Sequence, residues 1–393
     1  MNQEQTSAAS RAAGGAPAPA GVYFRAVFYG ATGYADESRG ILFALARAGM
    51  PLQIDPAESH SDVHGLLPDY EREMLERLKL GRVDLARSVL LQNFPAHGFS
   101  LSMHGRARVG RTMYETDSLP DDWREYCQAM DQVWVPSTFN CETFAAAGVA
   151  RSKLRALPEG VDTTLFRPGC DPLPLPGLRG FRFLSVFEWI ERKGPDVLLR
   201  AYLSEFRPDE DVCLILKAYA RPDATADLLP RIAWYIERGL GMRLEDTAPI
   251  LVLAPGFLRA EELPRLYATC SAFVLPTRGE GWGRPFMESL ACARPVITSR
   301  WSGHLDFLHD GNSYLIAVEP NRAAWNIDVE LSAGHGLGEP SVDHLRQLMR
   351  QVFTHPQEAR GRAQLGHAEM KEKWDWDVVV RDRWLPAIQE LLE

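Results

Sequence analysis

Residues 275–295 read LPTRGEGWGRPFMESLACARP. An apolar strand that starts near Ala272 runs into a turn with glycines at 279, 281 and 283, and Pro285 opens the helix that follows, where a missing N–H costs nothing. Strand, glycine turn and helix in that order belong to α/β proteins, whose ligands bind at the carboxyl ends of strands. The glycines let the backbone approach a ligand closely, and the helix start offers unpaired N–H groups and a positive dipole end to a diphosphate. Glu280 sits in the turn and Glu288 within the helix, so carboxylates flank the anion seat on both sides. Carboxylates accept hydrogen bonds from hydroxyls, which suits a ligand with a hydroxylated ring at each end, as a nucleotide-sugar has. Taken alone, the same string is a glycine turn with two surface glutamates.

Working outward, short apolar runs alternate with segments of helical period, the pattern of parallel sheets covered by helices, so the fold class is α/β. The runs 24–29, 88–94, 111–115, 132–135 and 154–157 predict strands of a first half, and 181–188, 212–217, 250–254, 272–276 and 295–298 those of a second. Helices are expected over 38–48 and 137–147, ended by Gly49 and Gly148, and over 69–80, with a charged solvated side. Residues 167–180 (RPGCDPLPLPGLRG) are too rich in proline and glycine for either element and predict the linker between two domains, as 393 residues require. Residues 374–393 form a Trp-rich amphipathic helix, and 1–22, rich in Ala, Gly, Pro and Ser without an apolar stretch, read as a disordered tail.

A net charge of −9 argues against holding nucleic acid or anionic lipid through a general positive field. No apolar run reaches membrane-spanning length, and the six scattered cysteines show neither CxxC pairs nor zinc-ligand spacing. They read as reduced core thiols of a soluble cytoplasmic protein, with no metal site and no stable membrane insertion.

The chain resembles the retaining nucleotide-sugar glycosyltransferases of the GT-B fold, family 4 or group 1. Four ordered motifs carry the resemblance: the E-x7-E of Glu280 and Glu288, the phosphate-lysine segment ERKGPDVLL at 191–199, the preceding helix EELPRLY at 261–267, and LPEGVDTTLFRP at 157–168. The resemblance implies two Rossmann-like doubly wound domains facing across a cleft: an acceptor-binding one over 23–168, a linker at 169–180 and a donor-binding one over 181–373. The last helix, 374–393, would return to the first domain. It implies that Glu288 accepts the ribose hydroxyls, Glu280 holds the transferred sugar, Lys193 pairs with the diphosphate, and the backbone of Gly281, Trp282, Gly283, Arg284, Pro285 and Phe286 touches sugar and diphosphate. Gly30, Thr32 and Gly33, followed by Ser38 and Arg39 opening the next helix, resemble the family's first glycine loop, which places Gly33 across the cleft. The donor would be a UDP- or GDP-sugar bound without metal or tight cofactor, and the acceptor a glycan, a lipid-linked molecule or a small molecule.

The family commonly carries an arginine five or six residues before the lysine, where this chain has Phe187 and Glu188. Arg192, Lys217 and Arg284 are the cations available to replace it, with Arg284 the first choice. Asp306 stands where the family has a glutamate, and His304 reads as structural; His97 and His104 lack an assigned role. Retention can proceed by double displacement, with Glu115 or Asp117 as nucleophile, or by same-face attack in which the departing phosphate takes the acceptor's proton. The resemblance favours the second. A GT-B phosphorylase, a nucleotide-sugar epimerase and a non-catalytic nucleotide-sugar-binding partner are the alternatives.

Overall fold

The computed structural model describes residues 17–30, 32–57, 67–219, 228–253, 258–323 and 335–393. Strands β1 (Val22–Ala26), β2 (Leu52–Pro56), β3 (Val89–Asn93), β4 (Ala107–Arg111), β5 (Gln132–Val135) and β6 (Leu154–Ala156) form a parallel sheet in the order β2-β1-β3-β4-β5-β6. Strands β7 (Phe181–Glu188), β8 (Val212–Tyr219), β9 (Ile250–Val252), β10 (Ala272–Leu275), β11 (Val296–Ser299) and β12 (Tyr314–Ile316) form a second, ordered β12-β11-β10-β7-β8-β9. Parallel sheets are covered on both faces, so their central strands are apolar without alternation. Accordingly VLLQN of β3 is buried throughout and β8 is exposed only at Tyr219. Helices α1 (Gly33–Arg47), α2 (Asp69–Lys79), α3 (Asp121–Ala129) and α4 (Thr138–Ala146) run between strands of the first half. In the second half follow α5 (Pro195–Glu205), α6 (Leu228–Trp234), α7 (Glu262–Thr269), α8 (Arg284–Ala291), α9 (Val342–Thr354) and α10 (Pro356–Lys373). An antiparallel pair, β13 (Val318–Ala323) and β14 (Gly336–Pro340), is inserted after β12.

Several expectations need correction. The strand read at 111–115 lies earlier, at β4, because pairing with β3 runs from Val89↔Ala107 to Asn93↔Arg111 and ends there. The apolar Tyr114 that suggested a strand is instead a loop residue packed edge-on to Trp123, ring centroids 4.9 Å apart. Helix α1 starts at Gly33 rather than Ser38, since Thr32 Oγ1 accepts from the Ala35 N–H (3.2 Å) and caps it. The end of the expected tail is tied down: the Pro19 carbonyl accepts from the Asp84 N–H, the Gly21 N–H donates to Ser88 Oγ, and Val22 begins β1. Residues 1–16, Ala31 and Ala254, which also fell in predicted segments, lie outside the described residues. Strand β2, an edge strand that accommodates Pro56, was not read from sequence, nor were β12 to β14. Cys170, expected in the core, is half-buried, while the other five thiols are buried.

The chain crosses between the halves twice. At the second crossing, Val161 exchanges backbone hydrogen bonds with Trp374 and Trp376, and Asp375 accepts from Thr163 Oγ1 (2.6 Å). Beyond it, α11 (Trp376–Val379), a π-helical turn (Val380–Trp384) and α12 (Leu385–Leu392) pack on the first sheet. Trp376, Val380, Trp384 and Ile388 share one core with Phe24, Leu45 and Leu91. A Cβ on Gly40 would collide with the Trp376 ring, so only glycine lets α1 approach this closely.

Trp384 is the keystone of that seam: its ring meets Trp134 edge-on at 5.4 Å, its indole N–H donates to the Pro158 carbonyl (3.0 Å), and the Arg111 guanidinium lies 5.3 Å from it. Trp384→Ala should cost about 3–5 kcal/mol of stability, read as a lowered urea midpoint.

Candidate active site

Ligand sites in open α/β sheets form where neighbouring connections leave in opposite directions, which here is between β7 and β10 and, facing it, between β1 and β3. After β7, a single tight turn over Glu191–Lys193 ends at Gly194 (φ +70°) and leads into α5. A Cβ on Gly194 would strike the Pro276 carbonyl, so glycine brings this turn against the loop that follows β10. That loop ends at Gly283 (φ +105°), which starts α8.

The two loops meet through charge. Lys193 Nζ lies 2.6 and 2.8 Å from the two carboxylate oxygens of Glu280. Arg192 Nη1 donates to the Gly279 carbonyl (2.6 Å) and stands 3.4 Å from Glu280 Oε2, while its Nη2 pairs with Glu115 Oε1 (3.0 Å). The Glu280 N–H donates to Ser302 Oγ (2.8 Å). Burial alone would raise the Glu280 pKa, but Lys193 and Arg192 overcome it and hold the carboxyl down at about 2. Burial also lowers the Lys193 pKa, with Glu280 opposing.

Glu288 opens onto a cleft of about 280 Å³ between the halves, whose walls include Lys217, Arg284 and Val186 on one side and Tyr29, Gly30 and Arg39 on the other. The Tyr267 hydroxyl donates to Glu288 Oε2 (2.8 Å), and burial raises the pKa of this carboxyl. Arg284 Nη1 reaches Glu159 Oε2 (3.3 Å), a carboxyl that burial and the nearby Glu37 push up to about 8 against the pull of Arg284 and Arg111. A larger cavity of about 790 Å³ lies beside α5 and α6, lined by Trp189, Trp234 and Tyr235. We assign the site to the smaller cleft, because Glu288, Arg284 and Lys217 line it and none of them lines the larger cavity.

Of the residues singled out from sequence, Glu280, Lys193 and Glu115 come together through Arg192, and Glu288, Arg284 and Lys217 share the cleft. Trp282 and Phe286 point their side chains into the core, Trp282 against Phe307 and Trp374 and Phe286 against Phe273 and His304. Only their backbone can meet a ligand, as it can at Gly281, Gly283 and Pro285. Gly33 opens α1 and is not among the described residues lining the cleft, whereas Gly30 is. Glu188 ends β7 beside Tyr219 and is likewise absent from that lining. His304, fully buried, bonds the Ser299 carbonyl through Nε2 (2.7 Å). Asp306 accepts from the N–H and hydroxyl of Thr138 (2.8 and 2.5 Å) across the halves, and Asp117 accepts from the Gly336 N–H (2.6 Å). His97 lies tilted against Trp123, ring centroids 6.0 Å apart, and exposed His104 bonds the Ser102 carbonyl. Sequence reading missed Ser302 and Glu159 as partners; Tyr267 stood in a motif already quoted, but its bond to Glu288 exists only in three dimensions.

The family model for "Glycosyl transferases group 1" matches residues 180–329. That match spans 150 of the 393 residues. The matched stretch contains Lys193, Glu280 and Glu288. Relatives include a D-inositol 3-phosphate glycosyltransferase of Acidothermus cellulolyticus, 26% identical over 59% of this chain and 54% of the relative. Another is a GDP-mannose-dependent alpha-(1-6)-phosphatidylinositol monomannoside mannosyltransferase of Mycolicibacterium smegmatis, 27% identical over 63% of this chain and 59% of the relative. The chain thus matches little more than half the length of either. Among solved structures, sucrose-phosphate synthase of Thermosynechococcus elongatus superposes with a TM-score of 0.66 at 15% identity, covering 94% of this chain and 98% of that one. Anabaena HepE in complex with UDP and glucose gives 0.63 at 13% identity, covering 94% and 99%. Two Rossmann-like halves with the last helices returned to the first are the GT-B fold, and the stretch matched by the family model lies in the second half.

Because Glu280 titrates lower folded than its ordinary 4.5, its pairing adds stability that is complete above that value and is lost as pH falls toward about 2. The stability gap between wild type and Glu280→Gln should therefore be full at pH 6 and shrink steadily as denaturation is repeated at lower pH. A gap independent of pH would contradict the assigned ion pair.

Proposed function

We propose that the protein is a retaining glycosyltransferase that moves a hexose-type sugar from a nucleoside-diphosphate sugar to an acceptor hydroxyl without a metal ion. The observation that carries this reading is the Glu280 carboxylate held between Lys193 and Arg192, in the loop that leads into Arg284 and Glu288 of the cleft, within the stretch that matches the group 1 model. Glu288, oriented by Tyr267, accepts the ribose hydroxyls. The sugar hydroxyls engage Glu280. The diphosphate lies toward the start of α8, on the side where Lys193 and Arg192 are gathered about Glu280. As the anomeric C–O bond breaks, negative charge grows on the β-phosphate, and two fixed cations and the helix N–H groups stabilise it.

Arg192 takes the place left by Glu188 in the family pattern. It adjoins Lys193, whereas Arg284, the first choice from sequence, is engaged by Glu159. A second cation beside Lys193 removes the ground for a non-catalytic binding partner. The Arg192–Glu115 pair favours same-face attack over double displacement, since a carboxylate held by a guanidinium is a poor nucleophile. In same-face attack the leaving phosphate oxygen takes the acceptor's proton, and closure of the two halves aligns donor and acceptor. The relatives named for inositol phosphate and phosphatidylinositol mannoside support a glycan, lipid-linked or small hydroxylated acceptor; UDP in one neighbour and GDP-mannose in one relative support either nucleotide. Six unpaired cysteines suit the reducing cytoplasm.

A panel of UDP, GDP, ADP and dTDP with their sugars tests the reading by thermal shift. A true donor at about 100 times its Kd should add roughly 2.7 kcal/mol of stability. Glu288→Ala should abolish the shift, and Lys193→Ala should lower kcat by about a hundredfold or more, as loss of a transition-state charge partner does. No shift with any nucleotide, together with no turnover, would sink the proposal.

A further inference from the structure

Strand β14 touches both loops that carry the paired glutamates. Toward the second half, Glu339 receives two hydrogen bonds from the Arg278 guanidinium (2.7 and 3.0 Å), and the Gly338 N–H donates to the Arg278 carbonyl (3.0 Å). Arg278, only 1% exposed, is also forked onto Asp196 at 2.7 and 2.9 Å and lies two residues before Glu280. Toward the first half, the Asp117 N–H donates to the Gly336 carbonyl (3.0 Å), and the Gly336 N–H donates back to Asp117 Oδ1 (2.6 Å). Asp117 lies two residues after Glu115. A Cβ on Gly336 would collide with the Asp117 carboxylate, so this contact requires glycine. Trp301 completes the seam: it packs with Leu337 of β14 and meets Phe139 of α4 edge-on at 5.1 Å.

One five-residue strand is thus bonded at its start to the Glu115 loop and near its end to the Glu280 loop, and Arg192 spans the two glutamates. We infer that β14 acts as a spacer that sets the separation of these loops, and that Asp117, which sequence reading offered as a nucleophile, is instead a positioning residue for transfer. The inference rests on the glycosyltransferase reading for its consequence, though not for its geometry. Held closed, the two loops exclude water and keep the acceptor hydroxyl, rather than solvent, next to the donor. Loosened, they admit water, and the donor is hydrolysed in place of being transferred.

Three variants of the full chain test this: Asp117→Ala, which removes the acceptor of the Gly336 N–H; Gly336→Ala, which wedges the seam apart; and Asp117→Asn, whose amide oxygen can still accept. Hydrogen exchange without substrate should rise about tenfold across 113–119 and 335–340 in the first two and stay near wild type in the third. With the donor that the thermal-shift panel selects, the ratio of transfer to hydrolysis should fall about tenfold in the first two variants, with donor affinity within about twofold, and the Asn variant should recover it. Unchanged exchange in both disruptive variants would overturn the spacer, and changed exchange with an unchanged ratio would overturn its role in positioning. A wild-type chain that neither binds nor turns over any nucleotide-sugar would count against the glycosyltransferase reading and the positioning role, while exchange would still decide whether β14 is a spacer.

Discussion

The part-buried ion pair between Lys193 and Glu280 is the constraint on which the site depends. Moving two charges out of water costs several kcal/mol for each, and only close geometry with further hydrogen bonds offsets that cost. Here the further bonds are present: Arg192 supports Glu280 and the Gly279 carbonyl, and Ser302 receives the Glu280 N–H. The backbone joins in, because the Arg278 N–H donates to the Arg192 carbonyl (2.6 Å) and Gly194 removes the side chain that would separate the loops. The ends of β7 and β10 are therefore laced into one unit. Two cations, Lys193 and Arg192, are thus gathered at one point around Glu280.

The same closeness extends across the cleft and changes the meaning of the glycines. A Cβ on Gly279 would strike the Glu115 carbonyl, and one on Gly281 would strike Met113. Read from sequence, these glycines admit a ligand; in the structure they admit the opposite half of the protein. The Met113 side chain stands over the Gly281 backbone. Farther along the seam, Asp306 accepts from Thr138, and Arg284 joins the second half to a buried chain of Glu159, Arg111 and Glu37. Charged groups buried between two bodies favour one relative arrangement, since any slip would leave a charge unpaired in a dry interior.

The second half was more legible than the first. Strand β7 matched its sequence reading end to end, and β8 was only extended, because central parallel strands are continuous apolar runs that no helix of that length would carry. In the first half, β4 was displaced by the apolar residues of the loop after it, and β2 was invisible because LQIDP at a sheet edge shows neither a continuous run nor alternation. Strand β14 (GLGEP) is richer still in turn residues, and it is stable only because Glu339, Leu337 and Gly336 each find a partner distant in sequence. Signals that lie within a few residues survive in a single sequence; those that need a partner two hundred residues away do not.

The sequence by itself determined the two α/β halves, the glycine turn before α8, and the identities of Glu280, Glu288 and Lys193, because strand period, helix-opening proline and motif spacing are local properties of the chain. Tertiary structure alone decided how those residues are used. It set Arg192 beside Lys193 and Arg284 against Glu159, bonded Asp117 to Gly336, and returned Trp376 and Trp384 to the first sheet. The physical reason is that charge pairing, close backbone approach and core packing are set by distance in space, and the relative placement of two domains appears nowhere in local sequence.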